Sequence, residues 1–125
     1  MRITSWNLLH GMEIPPNPAG PSAPALQRAI TELASDVIAV QEVDYRLPRT
    51  GDVNQIADIT DAMSATDWAF APSVIGTPGE KWRKPNINDP IYISNKSIGE
   101  LAGSYGIAIA SNIPVIKWQR LDPVS

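Results

Sequence analysis

Apolar and polar positions along the chain follow two different periods, and the changes between them mark out the elements. Arg2 to Trp6 alternates polar and apolar with β-branched Ile3 and Thr4, which predicts a first strand with Asn7 at its end. Gly11 to Pro24 carries Pro15, Pro16, Pro18, Gly20, Pro21 and Pro24, and fixed φ angles with missing donors make this stretch a long loop. Leu26, Ile30 and Leu33 then fall at i, i+4 and i+7, predicting an amphipathic helix over Ala25 to Ala34, with Pro24 suited to its first turn. Asp36 to Gln41 reads as a strand buried on both faces, with the carboxylate of Glu42 at its far end. Asp52 with Gln55 has the form of a cap, and Ile56, Ile59 and Met63 give a second helical stripe to about Ala65. Trp68 to Ala71 is expected to be a third strand. The segment 72–105 is expected to be a long loop containing a short strand over Pro90 to Ser94. Gly106 to Ser111 reads as another buried strand, Asn112-Ile113-Pro114 as a turn, and Val115 to Trp118 as the start of a further strand.

This order predicts an α/β chain of the α+β type, a mixed sheet with helices on one face. Strands that are apolar on both sides leave the other face bare, so self-association is expected.

Composition narrows the class. At 125 residues the chain has room for one core, and 43% hydrophobic with 18% charged residues makes it globular. Ten Lys and Arg against thirteen Asp and Glu give a net charge of −3, so no broad basic field exists and a polyanion must be held by a local cluster or a cation. The absence of Cys excludes disulfide scaffolds, thiolate metal sites and cysteine nucleophiles, and a single histidine, His10, excludes a His-rich metal site. No apolar run approaches the roughly 20 residues of a spanning helix, and the amino terminus lacks a signal-peptide core, so a cytoplasmic location is the expectation.

Candidate chemistry gathers at strand ends, where α/β sheets hold ligands. Glu42 is mounted on a rigid strand and Asn7 ends another; a carboxylate with an amide oxygen is half of a hard-cation site, the other reading being a solvated strand-end carboxylate. Lys81-Trp82-Arg83-Lys84 is either a phosphate grip with base stacking or a solvated loop. Arg46 and Arg49 could face a substrate phosphate or form a salt bridge to Asp44 or Asp52. Asp44 either orients the metal site from behind or starts a turn, and Asp52 reads as a helix cap.

Trp6-Asn7-Leu8-Leu9-His10-Gly11, Asp36 through Asp44 with its Gln41-Glu42 pair, Arg49, Val53-Asn54-Gln55, and Tyr105 through Val115 together resemble the amino-terminal half of the endonuclease/exonuclease/phosphatase family. The resemblance implies half of a four-layer α/β/β/α sandwich and a Mg²⁺-dependent phosphoesterase, with Mn²⁺ as the alternative ion. Its substrates would be phosphodiesters or phosphomonoesters, nucleic acid among them. By the same resemblance Glu42 and Asn7 are the metal residues and, with His10, the catalytic candidates; Arg49, Tyr105, Lys81 and Arg83 are the candidate substrate contacts. His10 could instead pack against Trp6 or cap a turn. The family's later motifs, an Asp and Asn in a Gly-Asp-x-Asn setting and a Ser-Asp-His, are expected beyond Ser125 in a domain roughly twice this length. These 125 residues are therefore expected to be inactive alone, or to pair with the carboxyl-terminal half. The alternative is a non-catalytic binding or assembly module that retains the phosphate-facing surface.

Overall fold

A computed structural model describes residues 1–8, 23–97 and 99–121. In chain order the elements are β1 (Ile3–Asn7), α1 (Ala23–Leu33), β2 (Val37–Tyr45), a 3-10 turn (Pro48–Thr50), α2 (Gln55–Met63), β3 (Asp67–Gly76), β4 (Trp82–Arg83), β5 (Ile93–Ser94) and β6 (Ser104–Ser111). They form one mixed sheet in the order β1-β2-β6-β3-β4, with β5 paired to β3. Among the described strands β1 and β2 are the one parallel pair, in the register Ile3 to Val37 through Asn7 to Gln41. A parallel pair needs a crossover, and α1 lies between them in sequence. The fold is α+β, as the order of periodic segments predicts.

Alternation assigns the two faces. Ile38, Val40, Phe70, Ala108 and Ala110 turn inward and join Leu26, Ile30, Ile56 and Ile59 of the helices in one core, with Trp6, Leu33 and Met63 packed at its margin. The helix stripes read from the sequence are thus the stripes that are buried. On the opposite face Ile3 of the alternating β1 is 69% exposed, and Ile107 and Ile109 are 51% and 37% exposed, so β6, expected to be buried, is buried on one face only.

Several boundaries differ from expectation for physical reasons. The cap of α2 is Asn54, whose side-chain oxygen accepts from the Ile56 N–H at 3.0 Å, whereas Asp52 sits in an exposed turn with φ +60°. β3 continues past Ala71 through Pro72 to Gly76, because Pro72 coincides with a register shift where a missing donor breaks no ladder bond. The segment 72–105 accordingly holds the end of β3, two short strands and the start of β6. Val115 to Trp118 pairs with no strand. The stretch instead crosses the face opposite the helices, where Trp118 lines a groove with Ala69, Ala71, Tyr92 and Ile107. It is fastened at both ends. The Val115 N–H donates to Asp67 at 3.1 Å, and Arg120 donates to the Pro72 and Ile91 carbonyls at 2.8 and 2.9 Å. The Gly11 to Ser22 part of the proline-rich loop lies outside the described residues. No helix among the described residues is long and apolar enough to cross a membrane.

The anchor of this strap titrates. The Asn95 amide and the Val115 N–H both donate to Asp67, with Lys96 close by, and they hold its carboxyl below the usual carboxylate range. An acid whose folded pKa is depressed releases its proton more readily when folded, so its stabilisation is complete above the ordinary value of 3.8 and is lost as pH falls below it. Urea unfolding between pH 5 and pH 2 is expected to show a shallower acid-side loss of stability in Asn95→Ala than in the wild type. Parallel acid limbs would show that Asp67 contributes nothing to them.

Candidate functional site

The site begins with a slip in β2. Strict alternation from Val40 would place Glu42 inward and Val43 outward, yet Val40, Val43 and Tyr45 are all buried, and Tyr45 stacks on Phe70 at 5.6 Å between ring centroids. The sheet resolves this with a bulge between Val40 and Val43, in which Glu42 takes a left-handed backbone, φ +56°. Four other non-glycine residues with positive φ, Ala34, Arg46, Asp52 and Ser64, follow the ends of helices and strands or lie in a turn; Glu42 is the one inside a strand among the described residues. Opposite the bulge, Gly106 of β6 pairs with Val43 on one side and Pro72 on the other, beside the second register shift between Pro72 and Val74. A Cβ at Gly106 would run into the Ala71 carbonyl oxygen, so the two neighbouring strands close on β6 at a point only glycine allows.

Past the bulge Asp44 pairs with Tyr105 in the ladder, and paired residues share a face. Asp44 is fully buried. Its carboxylate accepts two N–H bonds from Arg49, at 2.7 and 2.8 Å, and one from the Thr50 hydroxyl at 3.2 Å, while its backbone N–H donates to the Gln55 side-chain oxygen at 2.9 Å. The 3-10 turn over Pro48–Thr50 brings Arg49 back to Asp44 only five residues away. The guanidinium then lies 5.6 Å from the centroid of the Tyr105 ring. Hydrogen bonding to Asp44 holds the Arg49 guanidinium above its ordinary pKa. Burial, and then the negative charge of Glu42, raise the Tyr105 phenol above its ordinary pKa.

Asn7 ends β1 opposite Gln41, and the next N–H, of Leu8, donates to the Gln41 carbonyl at 2.9 Å. Asn7 at the end of β1 thereby lies next to Glu42, which is not at a strand end as expected but inside β2, because the bulge carries the strand on to Tyr45; Asn7 is exposed and Glu42 half-buried. Of the residues singled out from the sequence, Arg49 lies against Tyr105, and Asn7 is paired with Gln41, the neighbour of Glu42, on the adjoining strand. Lys81 and Arg83 stand at the opposite sheet edge, on or beside β4, where Arg83 is tied to Asp89 by bonds of 2.7 and 2.9 Å. That ion pair, with the Asn86 N–H, holds the Asp89 carboxyl at about 2. His10 lies outside the described residues. Of the two arginines with an open salt-bridge reading, Arg49 takes Asp44, whereas Arg46 lies 5.3 Å over the Tyr45 ring. Gly51-Asp52-Val53-Asn54 matches a Gly-Asp-x-Asn string but serves as the turn and cap that lead into α2. Thr50 and Gln55 were not legible as part of this arrangement, because Thr50 acts through the 3-10 turn and Gln55 reaches back from the first turn of α2. Among the described residues no three His, Cys, Asp or Glu side chains converge into a metal-binding group.

Comparison with known families gives a match over residues 4–125 to the family described as Endonuclease/Exonuclease/phosphatase. The chain belongs to that family. Endonuclease/exonuclease/phosphatase membership makes it a phosphoesterase- or nuclease-type domain. No curated protein and no solved structure gave a significant match.

Two outcomes follow from this geometry. Because Ala retains a Cβ in the left-handed region and Gly does not, Glu42→Ala is expected to be less stable than Glu42→Gly by about 1 kcal/mol in urea unfolding. Equal stabilities would mean that the bulge relaxes. Arg49→Met leaves the buried Asp44 charge without its cation and is expected to cost about 3 kcal/mol, the lower end for a broken buried pair since Arg49 is partly exposed. Asp44→Asn, which keeps a hydrogen-bonding side chain, is expected to cost about half as much, and the reverse order in the same assay would show that the burial of Asp44 is not what demands the pair.

Proposed function

We propose that the chain provides the part of a Mg²⁺-dependent phosphoesterase site in which Glu42 and Asn7 hold a largely hydrated divalent cation. The donor chemistry fits. Both residues offer oxygen, no imidazole or thiolate stands beside them among the described residues, and a hard cation that keeps most of its waters needs one or two carboxylates rather than a full cage. The observation that carries the reading is the left-handed backbone of Glu42 inside β2. A strained non-glycine residue within a strand persists where the surroundings over-determine it, and such outliers are typical of ligand sites.

A cation bound there supplies Lewis-acid polarisation of a phosphoryl oxygen. The chain's own residues do the rest of what can be derived from them. Glu42 offers the anionic oxygen and Asn7 an amide oxygen from the adjoining strand. Arg49 is held by Asp44 and sets the ring of Tyr105. A base to activate water is not among these residues, so turnover of a phosphodiester by the 125 residues alone is proposed to be undetectable. The substrate class within phosphoesters, whether nucleic acid, lipid or small phosphate, is set by loops rather than by this cluster.

Titration with Mn²⁺, followed by water-proton relaxation, tests the proposal. Glu42→Gln is expected to weaken binding at least tenfold and Asn7→Ala several-fold. Wild-type affinity in Glu42→Gln would remove the cation from this site, and metal-dependent hydrolysis that survives Glu42→Ala would overturn the mechanism altogether.

A further inference from the structure

We propose that the β3–β4 hairpin is a stacking subsite for a base of a single-stranded polynucleotide, with the Trp82 indole as platform and Lys81 and Lys84 as phosphate contacts. It rests on the cation site proposed above and names the class of phosphoester that such a site would take. Register supplies the first argument. Tyr45 of β2, Ser104 of β6, Ile75 of β3 and Arg83 of β4 are paired in succession, so one row crosses the sheet from the strand that carries Glu42 to the strand that carries Trp82. β4 is therefore at the far edge of the sheet but at the same end as Glu42, three strand spacings or about 14 Å away.

Pairing also assigns faces. Arg83 opposes the buried Ile75, whereas Trp82 opposes Gly76 and so shares the other face, that of Val74 and its partner Tyr105. Gly76 has no side chain to cover the indole and no room for one, since a Cβ there would run into the Lys81 carbonyl oxygen. With β4 at the edge of the sheet, Trp82 stays 52% exposed. A large flat ring mounted on a paired strand and half open to water is a stacking surface for any base.

The charges around the ring divide into fixed and free. Arg83 is bound bidentately to Asp89, which also accepts from the Asn86 N–H at 2.7 Å, so this arginine pins the turn after β4 and leaves the expected phosphate contact to its neighbours. Lys81 and Lys84 are exposed and form no ion pair among the described residues. Glu80 beside Lys81 offsets one of the two charges, so the ring rather than the field carries the affinity. That favours a single strand, whose bases are free to stack, over a duplex. It also disfavours a bilayer, because the other fully exposed apolar residue of this region, Ile87, is set between Asn86 and Asn88 and forms no apolar run with Trp82.

Fluorescence anisotropy of a labelled oligothymidylate of about eight nucleotides, titrated in EDTA, tests the subsite without any cation. Trp82→Ala is expected to weaken binding by about fivefold or more, and Trp82→Phe, which keeps a ring over Gly76, to retain most of the affinity. Lys81→Gln and Lys84→Gln are each expected to lower the slope of log affinity against log salt by about 0.7. With the wild-type chain, an abasic strand of the same length and the same sequence as a duplex are each expected to bind about fivefold more weakly, a comparison that does not depend on how any variant folds. No binding of the oligothymidylate, equal affinity in Trp82→Ala, or equal affinity for the abasic strand would overturn the proposal, and so would Trp82-dependent binding to phosphatidylserine vesicles in place of the oligonucleotide. Because the titration is made in EDTA, its failure is read separately from that of the cation site, which the Mn²⁺ titration of Glu42→Gln decides.

Discussion

A carboxylate with no access to water has to be paired, and much of the local architecture follows from meeting that need at Asp44. Taking the charge out of water costs several kcal/mol, which a bidentate arginine and added hydrogen bonds must offset. The chain supplies these within eleven residues: Arg49 and Thr50 from a 3-10 turn and Gln55 from the first turn of α2. The segment between β2 and α2 is therefore not a free connection. It is folded back on the strand it leaves, and Arg46 N–H to Val53 carbonyl at 2.9 Å closes it at the base. The same pairing that satisfies Asp44 delivers a guanidinium to the Tyr105 ring, so a requirement of burial shapes the surroundings of Glu42.

The second constraint is steric and sits at Gly106. β2 and β3 both shift register beside it, and no side chain fits between β6 and the Ala71 carbonyl. Bulges raise local twist and re-aim side chains. Here the shift keeps Val43 and Tyr45 in the core while leaving Gln41 and Glu42 half-buried at the end of β1, next to Asn7. Core packing and site geometry are thus bound to the same irregularity. If β2 were made regular, Glu42 would lie over the helices or Tyr45 would leave Phe70.

How much of this could be read beforehand depends on whether the controlling interaction is periodic. α1, α2, β1 and the core of β2 and β6 were legible because Leu26, Ile30, Ile56, Ile59, Ile38, Val40, Ala108 and Ala110 repeat at the spacing of their element. Glu42 was expected at the end of its strand, but β2 runs on to Tyr45, and the pairing of Asn7 with Gln41 is what places Glu42 beside the end of β1. Other features depend on partners distant in sequence. The alternation does hint at the bulge, since apolar residues at 40, 43 and 45 are spaced three and then two apart, but the hint says nothing of the left-handed φ. Pro72 reads as a strand breaker until β6 is seen to shift beside it. Val115 to Trp118 has strand-like residues, yet its N–H at Val115 is taken by Asp67, 48 positions earlier, and the segment becomes a strap. The Asp44 to Arg49 pair is invisible to helix and strand spacing alike, because a 3-10 turn separates the partners.

Charge distribution connects these features to the proposed chemistry. Arg49 is neutralised by Asp44, and Arg83 at the opposite sheet edge by Asp89, so neither adds a net positive charge for an approaching anion. Glu42 remains as a carboxylate beside a neutral amide and a neutral phenol. A phosphoester about 4 Å from it would be repelled by roughly 1 kcal/mol in water and about 4 kcal/mol at the effective dielectric of a protein surface. A divalent cation held between the two reverses the sign of both interactions, so on the proposed reading cation and substrate bind with positive coupling, each raising the affinity of the other. The internal pairing of Arg49 is what makes the coupling strong. A free arginine at that position would attract the phosphate by itself and weaken the dependence on the cation.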